Sequence, residues 1–206
     1  MTINANEYKS RIGLDSVYVA AVDTDSDSGY SAEAPEYLAP AAEASQEPTT
    51  NMVTQYADDA PYDVMTSEGE TKITLRITNI PPELYARITG AVFNVATGRV
   101  YDVAGTPPYY ALGFRSLKSN GSYRYYWFQK GKFSVPKEET VTRGETPDPK
   151  LLELIYTAIK TTYEFDLGSK LGGVKRVWGD EDTTNFSSTS WFAAVQTPEG
   201  AAPTSI

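Results

Sequence analysis

In residues 71–78, TKITLRIT, Ile73, Leu75 and Ile77 alternate with Lys72, Thr74 and Arg76. A side-chain period of two belongs to a strand with one buried and one wet face, so the chain needs a sheet packed on something. The next stretch, NIPPELYARITG, has another rhythm. Pro81 and Pro82 suit a first helical turn, Leu84 and Ile88 sit four apart on one face, and Gly90 can close the C-terminus. One short helix flanking a sheet is the expected core arrangement.

Further strand signals fill the chain. In LDSVYVAAV, Val17, Val19 and Ala21 share a face, and the strand runs into DTDSDSG, expected as a loop. Residues 37–46 read as extended up to Pro48. Residues 46–69, with TTNMVTQYADDAPYDVMTSEGE at their centre, are expected as a long connecting loop, too apolar for a plain linker and too broken by Asp, Pro and Gly for one strand. VFNVATGRVYDV predicts a hairpin through Thr97-Gly98. LLELIYTAIKTTYEF fits a helix at Leu151, Leu154 and Ala158 and a strand at Ile155, Thr157, Ile159, Thr161 and Tyr163; its β-branched and aromatic content favours the strand. GGVKRVWGD predicts another short strand, and WFAAVQTP apolar cover near the end. The fold expected is mainly β (α+β). Residues 1–10 form a polar arm, residues 11–198 a single domain, and residues 199–206 a polar tail.

Composition removes most chemistries. The 206 residues contain neither Cys nor His, which excludes disulfides, thiolate nucleophiles, Cys or His zinc sites and His-based triads. A net charge of −9 repels phosphate backbones and anionic lipid. No apolar run is long enough to span a bilayer, and the first residues lack the apolar core of a signal peptide, so synthesis in the cytoplasm and no membrane partner are expected. Asp23, Asp25 and Asp27 resemble the start of an EF-hand loop, but Ser28 stands where Gly is needed and Ala34 where the closing Glu is needed. The runs Asp180-Glu181-Asp182 and Glu138-Glu139 read as surface charge. No catalytic, cofactor-binding or metal-ligating set is expected.

The stretch GFRSLKSNGSYRYYWFQKGKFS, residues 113–134, places aromatics and cations on both sides of Asn120-Gly121. A two-residue type I′ turn there would pair Ser119 with Ser122. Leu112, Phe114 and Ser116 would then face Gln129, Trp127 and Tyr125 on the core side. On the reverse, Arg115 would oppose Tyr126, Leu117 Arg124, Gly113 Phe128 and Ala111 Lys130. That reverse side needs cover from the same chain, from a neighbouring subunit, or from stacked single-stranded nucleic acid, which the net charge disfavours. Phe128→Ser is expected to weaken association more than folding.

Several blocks carry a resemblance. IGLDSVYVA, YADDAPYD, GETKITLRITNIPPELYARITG, ALGFRSLKSNGSYRYYWFQKGKFSVPKEE and WFAAVQTP are similar, in order, to the major tail tube proteins of long-tailed (siphovirus) bacteriophages and prophages of Gram-positive hosts. The likeness runs over residues 11–198. It implies a β-sandwich with one flanking helix, forming hexameric rings that stack into a tube through a long loop and terminal arms. It also implies a lumen carrying DNA as transient cargo, location in the virion tail after assembly in the host cytoplasm, and contacts with a tape measure protein, a tail terminator and a distal tail protein. No enzymatic activity is implied. An extra immunoglobulin-like domain carried by many relatives has no room after Pro198, so a smooth tube is expected.

Candidate inter-subunit residues are Arg115, Leu117, Arg124, Tyr126 and Phe128 in the hairpin and Tyr56, Asp58, Asp59 and Tyr62 in the long loop. Lys72 and Arg76, on the wet face of TKITLRIT, would line either the channel or an outer groove. A rival reading is an aromatic-rich carbohydrate-binding β-sandwich of a phage adhesion device, with Tyr126 and Phe128 stacking on sugar. A polysaccharide-cleaving enzyme using Asp and Glu is a third, with no motif in its favour.

Overall fold

The structure, a computed structural model, describes Asn6 and residues 8–142 and 150–204. Of the expected N-terminal arm, residues 1–5 and 7 lie outside the described residues. Strands β1 (Asp15–Ser26), β2 (Gly29–Ala32), β3 (Glu36–Ala39), β4 (Ala41–Ala57) and β5 (Ala60–Ile77) lead to the helix α1 (Pro82–Thr89). Then come the small hairpin β6 (Val92–Asn94) and β7 (Arg99–Tyr101), the long pair β8 (Tyr110–Leu117) and β9 (Tyr123–Phe133), and β10 (Leu152–Ile159). Short strands β11 (Phe165–Asp166), β12 (Leu171–Gly172), β13 (Arg176–Asp180), β14 (Gln196–Thr197) and β15 (Gly200–Ala201) complete the chain.

Ile73, Leu75 and Ile77 of β5 are fully buried while Lys72 and Arg76 face water, as their alternation demands. Pro82 opens α1, Leu84 and Ile88 point into the core, and Gly90 closes the helix in the left-handed region, its N–H donating to Ala86 O at 2.9 Å. Residues 152–159 form a strand, because Leu154, Tyr156 and Ala158 all reach the core between β5 and β9.

The main sheet has nine strands in the order β2-β1-β8-β9-β10-β5-β4, with β3 added on β1 and β13 on β9. It forks along β1 and along β9. Along β1, β3 pairs with Val17 to Val19 and β2 with Val22 to Ser26. Along β9, β13 pairs with Arg124 to Phe128 and β10 with Lys130 to Phe133. The central strands β1, β8 and β9 therefore carry a core on each face. One holds Val17, Leu112, Phe114, Phe128, Ile73 and Tyr156 under α1. The other holds Ala111, Tyr125, Trp127, Phe165, Trp191 and Val195. Two large buried side chains have their polar atoms matched, the Trp127 indole donating to Trp191 O at 2.9 Å and the Tyr156 hydroxyl to Tyr110 O at 2.7 Å, whereas Gln129 Oε1 and Trp191 Nε1 are buried without a partner among the described residues. The result is the mainly β, sandwich-type class, with one helix among the described residues.

Four expectations are corrected. First, the β8–β9 register lies one residue from the expected one, with Leu117 opposite Tyr123 and Phe114 opposite Tyr126. The loop holds three residues, closed by Gly121 N–H to Lys118 O at 3.0 Å with Gly121 at φ +90°, while Asn120 keeps negative φ. A bulge sets Ala111 against both Gln129 and Lys130, so Tyr110 lies opposite Gly131.

Second, residues 46–69 are not a loop. β4 and β5 pair from Ala41↔Ile77 to Ala57↔Ala60 with register shifts at Ala41/Glu43, Pro48/Thr50 and Gln55/Tyr56, and Pro48 sits within β4, an edge strand that tolerates its missing N–H. Third, DTDSDSG is mostly strand and turn, with β1 running to Ser26. Its Asp25 is no solvated group: it receives Lys130 Nζ and the N–H groups of Thr162 and Tyr163. Fourth, the polar tail is tied down where it is described, since β15 pairs with β14, Ala202 is buried, and Thr204 bridges Ala32.

Candidate interaction surface

The outer halves of β4 and β5 leave the body as a bare two-stranded ribbon. Its turn is Asp58-Asp59 between the paired Ala57 and Ala60, with φ of 50° and 59°. Positive φ at both central residues makes this the type I′ geometry that the sequence suggested for Asn120-Gly121, and Asp is one of the few residues that accept it. From residue 49 to residue 57 the ribbon extends about 30 Å at ~3.3 Å per residue.

Both faces of the ribbon carry apolar side chains in water. Val53 lies opposite Met65 on one face, while Met52 and Val64 lie on the other. Tyr56 is 69% and Tyr62 76% exposed beside the turn. An isolated hairpin of this kind is marginally stable in water, and apolar groups on both sides call for cover on both sides. β4 also presents an open edge, since among the described residues β5 is its only paired strand.

At the root of the ribbon lies a continuous groove, about 690 Å³ on one side and about 410 Å³ on the other, with Gln46, Pro48, Arg176 and Trp178 common to both. Trp178 is 50% exposed, and the Arg124 guanidinium lies 4.9 Å from its ring centroid. Arg11 donates to the Tyr126 hydroxyl at 3.0 Å and Arg176 to Gln46 Oε1 at 2.9 Å. Among the described residues neither Arg11 nor Arg176 has a carboxylate within ion-pair distance.

One wall is fixed by a charge cluster. Lys118, with a fully buried side chain, donates to Asp180 Oδ1 at 2.9 Å and also meets Asp182; Arg124 Nη2 reaches Asp180 Oδ2 at 2.7 Å. Lys118 chiefly, with Asn120 and Ser122, holds the Asp182 carboxyl down to about 2. Burial alone would raise Asp180, but hydrogen bonds from Lys118 and Arg124 outweigh it and keep it below its usual value. Glu181 accepts from the Tyr125 hydroxyl and from Tyr123 N–H. The run 180–182, expected as surface charge, is thus a clasp between β13 and the β8–β9 turn. Glu138 and Glu139 are exposed, as expected.

The structure sorts the candidate residues into three groups. Tyr56, Asp58, Asp59 and Tyr62 gather at the ribbon tip. Arg124, Tyr126 and Phe128 line the groove, but Tyr126 is 3% and Phe128 1% exposed, both within the first core. Their cover is the chain's own, which removes the reverse-side problem and leaves no ring face there for sugar stacking. Arg115 and Leu117 point to the opposite face, where Arg115 is ion-paired with Asp15 and lies 4.1 Å from the Tyr123 centroid, and Leu117 packs on Gly13. Arg176 and Trp178 were missed, although their spacing of two in KRVWGD puts a cation and an indole on one face.

Among the described residues no group of three or more His, Cys, Asp or Glu could hold a metal ion, and no helix is long and apolar enough to cross a membrane. The family model described as phage tail tube protein matches residues 47–197. No curated protein matches the chain.

Proposed function

The chain belongs to the phage tail tube protein family, and from that premise we propose that its copies close into hexameric rings that stack into the tail tube of a long-tailed phage or prophage. The family role is structural and not enzymatic, with its place in the virion tail. DNA passes down the lumen as transient cargo. Assembly takes place in the host cytoplasm, with the tape measure protein inside and the tail terminator and distal tail protein at the ends.

The observation that carries this reading is the ribbon, whose apolar residues are exposed on both faces and whose edge is open. A protein that stayed alone would keep this limb unpaired in water, whereas a ring or stack covers both faces with neighbours. The wet face of β5 suits a passage for DNA as well. Arg76 lies 3.6 Å from Glu43 and 4.0 Å from Glu153, and Glu47 stands opposite Lys72 in the register, so carboxylates on the same surface weaken its attraction for phosphate.

Sedimentation across a concentration series, followed by negative-stain microscopy, tests the proposal. Six-fold rings or tubes are expected. A protein that remains monomeric at every concentration, with or without the distal tail protein, would overturn it.

A further inference from the structure

Residues 49–69 contain Asp58, Asp59, Asp63 and Glu68 and no Lys or Arg. The groove at the ribbon root is richer in cations, with Arg11, Arg124 and Arg176 around the half-exposed Trp178 on one side, and Lys160 and Lys175 beside Glu68 on the other. Arg124 is already engaged by Asp180, and on the side of the groove that holds Arg11 the cations with no ion pair among the described residues are Arg11 and Arg176. We infer that the acidic, tyrosine-bearing tip of one copy's ribbon seats in the arginine-lined groove at the ribbon root of the next copy. This rests on the tube reading and names the surface that receives the ribbon.

Geometry forbids the same contact within one copy. Gln46 and Pro48 of the root line the groove, and the tip lies about 30 Å further out along the paired strands at ~3.3 Å per residue. Tip and groove are different patches of one molecule, so a single contact leaves one free tip and one free groove, and the union repeats head-to-tail into a ring or a filament unless two copies exchange tips reciprocally. Asp58 and Asp59 meet Arg11 and Arg176, while Tyr56 and Tyr62 bring rings to the Trp178 face. Opposed charges fix the register and speed encounter, and the aromatic contact supplies the buried anchor.

A charge swap tests the pairing. Asp58→Lys with Asp59→Lys reverses the tip, and Arg11→Glu with Arg176→Glu reverses the groove. Each reversal alone is expected to raise the concentration needed for polymerisation at least about tenfold, and both together in one chain to bring it back to within about threefold of the original. Thermal unfolding of each variant reports whether the body remains folded. The chain lacks cysteine, so mixing Tyr62→Cys protein with Trp178→Cys protein supplies an independent measurement, with the mixed 62–178 disulfide expected over either self-pairing. Normal polymerisation of either reversed protein overturns the inference and leaves the tube reading intact. Loss without recovery in the combined variant, or self-paired disulfides alone, also overturns the pairing. An unaltered chain that never polymerises removes both.

Discussion

Lys118 shows how much of this molecule depends on a charge placed out of sight. Its ammonium is fully enclosed, with Asp180 and Asp182 as its counterions. Lys118→Met would leave Asp180 buried with only Arg124, and a loss of about 3–5 kcal/mol in urea denaturation is expected. Acid acts on the same cluster. Both aspartates titrate lower in the folded chain than in the unfolded one, so their contribution is complete above the unfolded value, ~3.9. It is lost as pH falls toward about 2, where Asp182 takes up its proton. Stability should hold steady down to roughly pH 4 and then drop, with a shallower drop in Asp182→Asn. Nothing in the letters DED distinguishes this clasp from surface charge, because its partner stands more than sixty positions earlier in the chain.

At the scale of elements, Phe128 separates core from interface. Its side chain lies in the first core with Phe114 and Tyr156, so Phe128→Ala is expected to cost about 3–5 kcal/mol of subunit stability. Circular dichroism melts should show that loss before any selective effect on association. Local pattern made the strand at 71–78, the helix at 82–89 and the strand at 152–159 legible, because each buries one periodic face against one neighbour. The β8–β9 register was not, since one extra turn residue moves every side chain to the other face of its partner strand. Nor was the ribbon, because Asp58-Asp59 takes a turn usually signalled by Asn-Gly, and residues without burial show no alternation to read. Half of the interaction surface could be seen early: YADDAPY announced the tip, while the groove needed β4, β8, β9 and β13 brought together from distant parts of the sequence.

For the molecule as a whole, the forked sheet joins two cores through strands common to both, and the ribbon stands outside that union. Body and limb therefore differ in what keeps their backbone hydrogen bonds closed. In a lone subunit, amide protons of β1, β8 and β9 should exchange with deuterated solvent only on global unfolding, whereas those of residues 50–68 should exchange by local opening, orders of magnitude sooner. Mass spectrometry of peptides from the two regions, before and after polymerisation, checks this; ribbon amides equally fast in both states would contradict its enclosure by neighbours. The bare hairpin thus gives the growing structure an intrinsic isotopic clock, in which deuterium uptake by one peptide counts how many subunits have been locked in place.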